Sequence, residues 1–212
     1  MFKAIIFDLD GTLVYTSPEY RYRIVSKTLR DFGVIASNKH IDGFWFEARR
    51  DEIIRKYFRL EPEVFWEKYR KYDTTELRKK FTRPYRDVEF IRELKLNGYK
   101  IGIVTGAPNH IIDLEIRMIG KENFDAVVRA HISNGINPKP YPHGLERCLN
   151  LLKVPWSGAV YVGNSDEDVL AAKNAGVFDV LVDRKEYRFN LKNLRPSMVV
   201  DSLYDLEKIL KI

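Results

Sequence analysis

Two carboxylates separated by one residue form the most chemically suggestive stretch of the sequence. Asp8 and Asp10 directly follow the apolar segment 3–7 and precede Gly11 and Thr12. One carboxylate can act as a nucleophile, while a second acid nearby can give a proton to a leaving group and take one from water. Taken alone, the stretch is also a reasonable surface turn, because Asp and Gly favour turns.

Polar groups also follow three later apolar segments of the chain. Ligand sites in open α/β sheets lie where the carboxyl ends of neighbouring strands meet, so these groups are candidates for the same site. Taken alone, Thr105 also fits an ordinary strand-to-helix cap, and Lys139 also fits a solvated side chain in a turn. The groups are Thr105 with Gly106 after Val104, Lys139 before Pro140, and the run Asn164 to Asp168 after Gly163.

Beyond residue 85, the hydrophobic pattern alternates between strands and helices. The strands predicted there are 100–104, 126–129, 159–162, 180–182 and 199–201, and they join the first predicted strand, 3–7. The predicted helices are 87–96, 109–119, 142–152, 166–175 and 203–210. Helices that alternate with short apolar strands predict an α/β fold, in which a doubly wound parallel sheet has helices on both faces.

The segment from residue 17 to residue 81 has a different, helical pattern without a convincing strand. One predicted helix carries Tyr22, Val25, Leu29 and Phe32 on one face, and the next carries Ile41, Phe44, Trp45 and Ala48. Helices 62–69 and 75–81 follow, before Pro84 interrupts the pattern. We therefore predict a catalytic core domain formed by residues 1–15 and 83–212, with an inserted helical domain over residues 16–82.

Composition narrows the possible partners and location of the protein. The 212 residues include 36 Lys and Arg against 30 Asp and Glu, a net charge of +6. These basic residues are dispersed and accompany no nucleic-acid motif, so nucleic-acid binding is not the predicted function. The sequence contains neither a transmembrane-length apolar run nor signal-peptide features, and we expect no membrane partner. A single cysteine, Cys148, suits a reducing cytoplasm and lies on a predicted core face with Leu145, Leu149 and Leu152.

The four polar groups together resemble the four motifs of the haloacid dehalogenase-like (HAD) superfamily, in the same order and each at a strand end. With Asp10, the first motif resembles that of the phosphatase and phosphomutase branches. The segment from Asn137 to Pro142 resembles the third motif of phosphoglycolate phosphatase-like members. The helical insertion lies where this superfamily often has a cap domain. The resemblance implies a phosphatase that acts on a small phosphorylated metabolite. We expect the protein to be a monomer or a small homo-oligomer.

The resemblance also implies a role for each residue. Asp8 is the expected nucleophile, which would form an aspartyl-phosphate intermediate, and Asp10 is the expected general acid and base. Lys139 would balance negative charge and, with Thr105 and Gly106, hold the phosphate. The implied cofactor is Mg²⁺, and the implied metal ligands are Asp8, Asp10 through its backbone carbonyl, Asn164 and Asp168.

One position departs from the superfamily pattern. Metal-dependent members usually have Asp directly after the glycine of the fourth motif, whereas this sequence has Asn164 after Gly163. An asparagine oxygen can bind Mg²⁺ but removes one negative charge, so we expect weaker metal binding. Asp168 would then either ligate the metal through water or orient Lys139.

Three alternative functions remain open from the sequence. A 2-haloacid dehalogenase would use Asp8 without metal, but such enzymes have a bulky non-acidic residue in place of Asp10. A phosphomutase would return the phosphoryl group to a second hydroxyl of its substrate. A non-catalytic binding module would have a degraded metal site, which only Asn164 favours.

Overall fold

The computed structural model describes residues 1–47, 49–188 and 194–211. In chain order, its first elements are β1 (Ala4–Phe7), β2 (Val14–Thr16), α1 (Pro18–Arg30), α2 (Asn38–Phe46), α3 (Arg50–Ile53), α4 (Pro62–Tyr72), α5 (Thr75–Phe81) and β3 (Thr82–Pro84). They are followed by α6 (Phe90–Leu96), β4 (Lys100–Thr105), α7 (Asn109–Ile119), β5 (Ala126–Arg129), α8 (His143–Leu152), β6 (Ala159–Gly163), α9 (Asp166–Ala175), β7 (Phe178–Val182) and β8 (Met198–Val200).

Six parallel strands form the main sheet, in the order β5-β4-β1-β6-β7-β8. The central strand β1 lies between β4 and β6, and its side chains alternate between two hydrophobic clusters. Ile5 and Phe7 belong to one cluster, while Ala4 and Ile6 belong to the other. Burial on both faces is typical of a parallel sheet covered by helices, and the predicted α/β fold is confirmed.

The six strands of this sheet match the predicted ones, with ends that differ by at most two residues. Two predicted helices are partly wrong. The first turn of the helix predicted at 87–96 is a 3₁₀-helix over Arg86–Glu89, and the segment predicted as a terminal helix is a 3₁₀-helix over Leu203–Lys208. In both segments an N–H donates to the carbonyl three residues earlier, as from Asp205 to Ser202 at 3.1 Å. Hydrophobic spacing alone does not separate these two helix types.

Contacts between Cα atoms divide the chain into two compact units, Met1–Tyr15 with Arg83–Ile212, and Thr16–Thr82. The division runs through β2 and β3, which pair as a two-stranded sheet. Neither of these strands was predicted, because three residues are too few to show an alternating hydrophobic pattern. Among the described residues, no helix is both long and apolar enough to cross a membrane.

The unit Thr16–Thr82 has a hydrophobic core of its own, built largely from aromatic side chains. Phe44 of α2 packs against Phe65 of α4, with ring centroids 5.2 Å apart. The predicted buried face of α1 is wrong in part. Tyr22 is half-buried, and its hydroxyl donates to Asp42. Phe32 is also half-buried, because it lies beyond the end of the helix at Arg30. The buried apolar residues of α1 are Tyr20, Ile24, Val25 and Leu29, and Ala48 of the second predicted face lies outside the described residues.

Candidate active site

Asp8 follows β1 directly and is held at the carboxyl edge of the main sheet. Its backbone N–H donates to the carbonyl of Val162 in β6 at 2.9 Å, and its exposed fraction is 5%. Oδ1 accepts a hydrogen bond from Lys139 Nζ at 2.7 Å, whereas Oδ2 has, among the residues that the structure describes, only a longer contact with the Thr12 hydroxyl, at 3.3 Å. One oxygen of Asp8 is therefore anchored, and the other is available for chemistry.

Lys139 is held between two carboxylates. Its Nζ lies 2.6 Å from Oδ1 of Asp168 as well as 2.7 Å from Asp8. Asp168 is 2% exposed, and its oxygens also accept hydrogen bonds from the Tyr161 hydroxyl and from the backbone N–H and hydroxyl of Ser165. Because both oxygens of Asp168 are engaged, this carboxylate is arranged to orient Lys139.

The pKa values of these groups reflect their burial and the pairing of one ammonium with two carboxylates. Burial is the main cause that raises the pKa of Asp8 to about 7; Asp168 and Asp10 also raise it, and Lys139 opposes them. For Asp168, burial is outweighed by Lys139 and by the Ser165 and Tyr161 hydrogen bonds, so its pKa is lowered. The two carboxylates outweigh burial in turn and raise the pKa of Lys139. One ammonium thus serves two carboxylates, and the charge on Asp8 is the less well compensated.

A tight turn after Asp8 joins this carboxylate to the loop after β6. The Thr12 hydroxyl is buried and lies 3.3 Å from both Asp8 Oδ2 and Asn164 Oδ1. Gly11 has a φ of +75°, and a Cβ atom there would lie 2.2 Å from Asn164 Nδ2. Glycine at this position therefore provides both the left-handed backbone and the space for Asn164.

We expect Gly11→Ala to lower both stability and activity. The new methyl group would displace Asn164 and strain the turn, at a cost of about 1–3 kcal/mol in the free energy of unfolding. Chemical denaturation and the rate of phosphate-ester hydrolysis would measure the two effects. Gly33→Ala is a matched control for the strain alone, since Gly33 also has a positive φ but a Cβ atom there would meet nothing within 4 Å. An active Gly11→Ala enzyme with wild-type kinetics would contradict this account of the turn.

The remaining predicted residues lie at the same edge of the sheet. Asp10 is half-buried, and its backbone pairs with Val14. Thr105 ends β4, the strand next to β1, and its hydroxyl accepts a hydrogen bond from the N–H of Ala107 at 3.1 Å. This leaves the hydroxyl proton of Thr105 to donate to a ligand. Gly106 is exposed, and a Cβ atom there would meet nothing within 4 Å, so there is open space beside its backbone.

The oxygen atoms around Asp8 suit a hard cation. Among the described residues, no group of three His, Cys, Asp or Glu side chains could hold a metal ion. However, Asp8 Oδ2 and Asn164 Oδ1 both contact the same Thr12 hydroxyl, which has a single proton and can donate to only one of them at a time. The weakly satisfied oxygen of Asn164, next to the undercompensated carboxylate of Asp8, fits a magnesium ion, which prefers oxygen ligands.

Sequence reasoning did not assign a role to three residues that contact this site. Thr12 belongs to the first motif, but its hydroxyl bridge requires the loop after β6 to lie next to it. Tyr161 looks like a core residue of a buried strand, although its hydroxyl donates to Asp168. Arg184 follows β7 and donates to the backbone of Thr12, a partner 172 positions away in sequence. Of these three residues, only Thr12 could have been found from the sequence, because it lies within the first motif.

A doubly wound α/β sheet with carboxylates and a lysine at its carboxyl edge defines an enzyme of the Rossmann-like α/β class. Residues 5–182 match the family model described as haloacid dehalogenase-like hydrolase, and the chain therefore belongs to this family. The predicted resemblance is confirmed. The enzyme is a hydrolase of the phosphatase type found in this family.

Proteins named pyrophosphatase PpaX are similar over almost the whole chain. The protein from Bacillus cereus strain B4264 is 29% identical over 224 residues, which cover 98% of this chain and 95% of the relative. The protein from Halalkalibacterium halodurans is 29% identical over 217 residues, which cover 99% of this chain and 97% of the relative. The similarity therefore includes both units.

Solved structures of other family members have the same fold. A HAD phosphatase from Thermococcus onnurineus has a TM-score of 0.72 and 26% identity, and the match covers 99% of this chain and 98% of that one. A predicted phosphoglycolate phosphatase from Haemophilus somnus has a TM-score of 0.80 and 22% identity, with 98% and 97% covered. A β-phosphoglucomutase from Clostridium difficile has a TM-score of 0.72 and 23% identity, with 99% and 96% covered. The last two likenesses show the fold alone.

Proposed function

We propose that this enzyme hydrolyses a phosphate monoester of a small molecule, with Asp8 as the nucleophile and Mg²⁺ as the cofactor. The observation that carries the proposal is the asymmetric environment of the Asp8 carboxylate. Lys139 anchors Oδ1 at 2.7 Å, and within the described part of the chain Oδ2 has only the 3.3 Å contact with Thr12. A carboxylate held by one oxygen presents the other in a defined direction, as nucleophilic attack on phosphorus requires.

The proposed reaction has two steps. Oδ2 of Asp8 attacks the phosphorus, the bond to the leaving oxygen breaks, and Asp10 gives its proton to that oxygen. Asp10 then takes a proton from a water molecule that attacks the phosphorus of the aspartyl phosphate, which releases phosphate and restores Asp8. Lys139 and the hydroxyl of Thr105 would hold the phosphate oxygens, where negative charge increases in the transition state.

Magnesium would be held by the Asp8 carboxylate, the backbone carbonyl of Asp10 and the side-chain oxygen of Asn164. When bound, it would supply the positive charge that lets an anionic carboxylate approach an anionic phosphate. We leave Asp168 out of this ligand set, because its oxygens already accept hydrogen bonds from Lys139, Tyr161 and Ser165. We propose instead that Asp168 orients Lys139.

We expect Asn164→Asp to bind magnesium more tightly than the wild type. The substitution adds a negative charge next to the proposed ion, and we expect the half-saturating magnesium concentration to fall about tenfold. Asn164→Ala removes the oxygen and should raise that concentration. Magnesium titrations of activity at fixed pH would measure both changes. Equal half-saturation for all three proteins would show that residue 164 does not ligate the metal.

The proposed function is tested by hydrolysis of p-nitrophenyl phosphate with magnesium and with EDTA, beside chloride release from 2-chloropropionate. We expect p-nitrophenol release that stops in EDTA and returns on adding magnesium. Chloride release that persists in EDTA would instead establish a dehalogenase, although Asp10 argues against this reaction. A metal-binding protein that is inactive in both assays and on a phosphometabolite panel would be a binding module.

Pyrophosphate is a second candidate substrate, favoured by the similarity of the whole chain to proteins named pyrophosphatase PpaX. The same attack by Asp8 would break its phosphoanhydride bond. Comparing kcat/KM for pyrophosphate with that for phosphoglycolate and sugar phosphates would decide between these substrates. A phosphomutase would convert a sugar phosphate to its isomer without net release of phosphate, which the same panel would detect.

We also propose that the helical unit Thr16–Thr82 is the cap domain of the enzyme. Its separate hydrophobic core supports this role, because an inserted unit with its own core can move as a body. A cap that closes over a site excludes water and bulky substrates, so the enzyme would favour small phosphorylated metabolites. Much faster hydrolysis of small phosphometabolites than of phosphoproteins would support this assignment.

A further inference from the structure

A buried arginine, Arg184, donates hydrogen bonds to the backbone of the turn that follows the proposed nucleophile. Arg184 follows β7, and its side chain is 7% exposed. Its Nε and Nη2 atoms donate to the backbone carbonyl of Thr12, at 3.2 and 2.6 Å. The Thr12 side chain in turn contacts both Asp8 and Asn164. Arg184 is thus linked to the proposed nucleophile through one intervening residue, Thr12.

Arg184 is itself fixed on two further sides. Nη1 donates to Oδ2 of Asp87 at 2.7 Å, and the guanidinium carbon lies 4.0 Å from the ring centroid of Tyr85. The same Asp87 oxygen accepts hydrogen bonds from the hydroxyl of Ser202 and the backbone N–H of Leu203. A planar guanidinium with an ion pair, a ring contact and a forked hydrogen bond can occupy only one orientation.

We propose that Arg184 is a positioning residue for phosphoryl transfer, which acts by fixing the Thr12 backbone so that the Thr12 hydroxyl stays between Asp8 and Asn164. The proposal deepens the proposed function and rests on it. Thr12 is fully buried, so a shift of its carbonyl moves its hydroxyl relative to Oδ2 of Asp8. Lysine cannot replace this arrangement, because one ammonium cannot present two parallel N–H groups to a carbonyl while it also pairs with Asp87.

The test compares Arg184→Gln and Arg184→Lys with wild type in hydrolysis of p-nitrophenyl phosphate at saturating magnesium. We expect kcat to fall by about 10- to 100-fold for Arg184→Gln with KM changed less than about twofold, since substrate binding is not touched. Arg184→Lys should show a smaller loss of the same kind, because it keeps the ion pair with Asp87. Arg92→Gln is the matched control, since Arg92 is an exposed arginine of the same unit.

A double-mutant comparison separates positioning from a purely structural role. If Arg184 acts through Thr12, then Thr12→Val combined with Arg184→Gln should have nearly the same kcat as Thr12→Val alone. Losses that multiply would overturn the proposal. So would a lower melting temperature of Arg184→Gln or Arg184→Lys with an unchanged kcat.

Crystal structures of the wild type and Arg184→Lys supply a measurement independent of activity. We expect the Thr12 hydroxyl to move out of hydrogen-bonding distance of Asp8 in the variant. If the wild type and Arg92→Gln both fail to hydrolyse any phosphate compound, the proposed function is wrong. A Thr12 hydroxyl that has the same position in Arg184→Lys as in the wild type would overturn the positioning role, whatever the activity.

Discussion

Asp8→Asn is expected to abolish hydrolysis and, in a chelator at pH 8, to melt at a higher temperature than the wild type. Loss of the nucleophile should lower kcat by at least about 10⁴-fold. The gain in stability has a separate cause: burial raises the pKa of Asp8 to about 7, so the ionised carboxylate at pH 8 is unfavourable in the folded protein. Asparagine has the same shape and no charge, and its oxygen can still accept the Lys139 hydrogen bond.

The sign and the pH range of this stability effect follow from proton linkage. The pKa of Asp8 is higher in the folded protein than its ordinary value of 3.8. Between about pH 4 and pH 7 the unfolded chain therefore binds fewer protons at this position, and the free energy of unfolding falls as the pH rises. The advantage of Asp8→Asn should be absent near pH 4, grow to about 10 °C in melting temperature by pH 7, and stay constant above it.

Thermal unfolding in EDTA at several pH values would measure this difference. Asp113→Asn is a suitable control, because Asp113 is an exposed carboxylate of the same unit. The account of the site would be wrong if Asp8→Asn melted below the wild type at pH 8 in EDTA. Residual magnesium-dependent turnover near the wild-type rate would exclude Asp8 as the nucleophile.

Lys139→Met is expected to cost both activity and stability. The Lys139 ammonium is the group that pairs with both Asp8 and Asp168, and its removal leaves two buried carboxylates without their cation. Breaking such a buried pair costs about 3–5 kcal/mol in the free energy of unfolding. The loss of kcat/KM should be at least about 10³-fold, because the same ammonium is proposed to balance charge on the phosphate. The pKa of Asp8 should rise further, so any residual activity should require a higher pH.

Denaturation midpoints and pH–rate profiles would measure these effects, with the exposed Lys121→Met as the control. The double variant Lys139→Met with Asp8→Asn gives a sharper test. Removing one of the two carboxylates should recover part of the lost stability while activity stays absent. If the double variant were less stable than Lys139→Met alone, the uncompensated charge of the Asp8 carboxylate would not be a cause of the destabilisation.

The main sheet could be predicted from the sequence because a buried parallel strand has a local signal. Its side chains are apolar on both faces, and the first polar residue after each run marks the carboxyl end of the strand. For this reason the sequence alone was enough to assign Asp8, Thr105 and Asn164 to one edge of the sheet. The roles assigned to these residues in catalysis and metal binding stay predictions.

Only the tertiary structure decided how the side chains at that edge are paired. The sequence left Asp168 as either a metal ligand or a partner of Lys139, and the choice depends on which donors surround its two oxygens. The contact of Arg184 with Thr12 joins segments far apart in the chain and has no local pattern. Hydrophobic periodicity determines where strands and helices form, but hydrogen bonds act over about 3 Å, so their partners are determined only when the packed elements bring distant loops together.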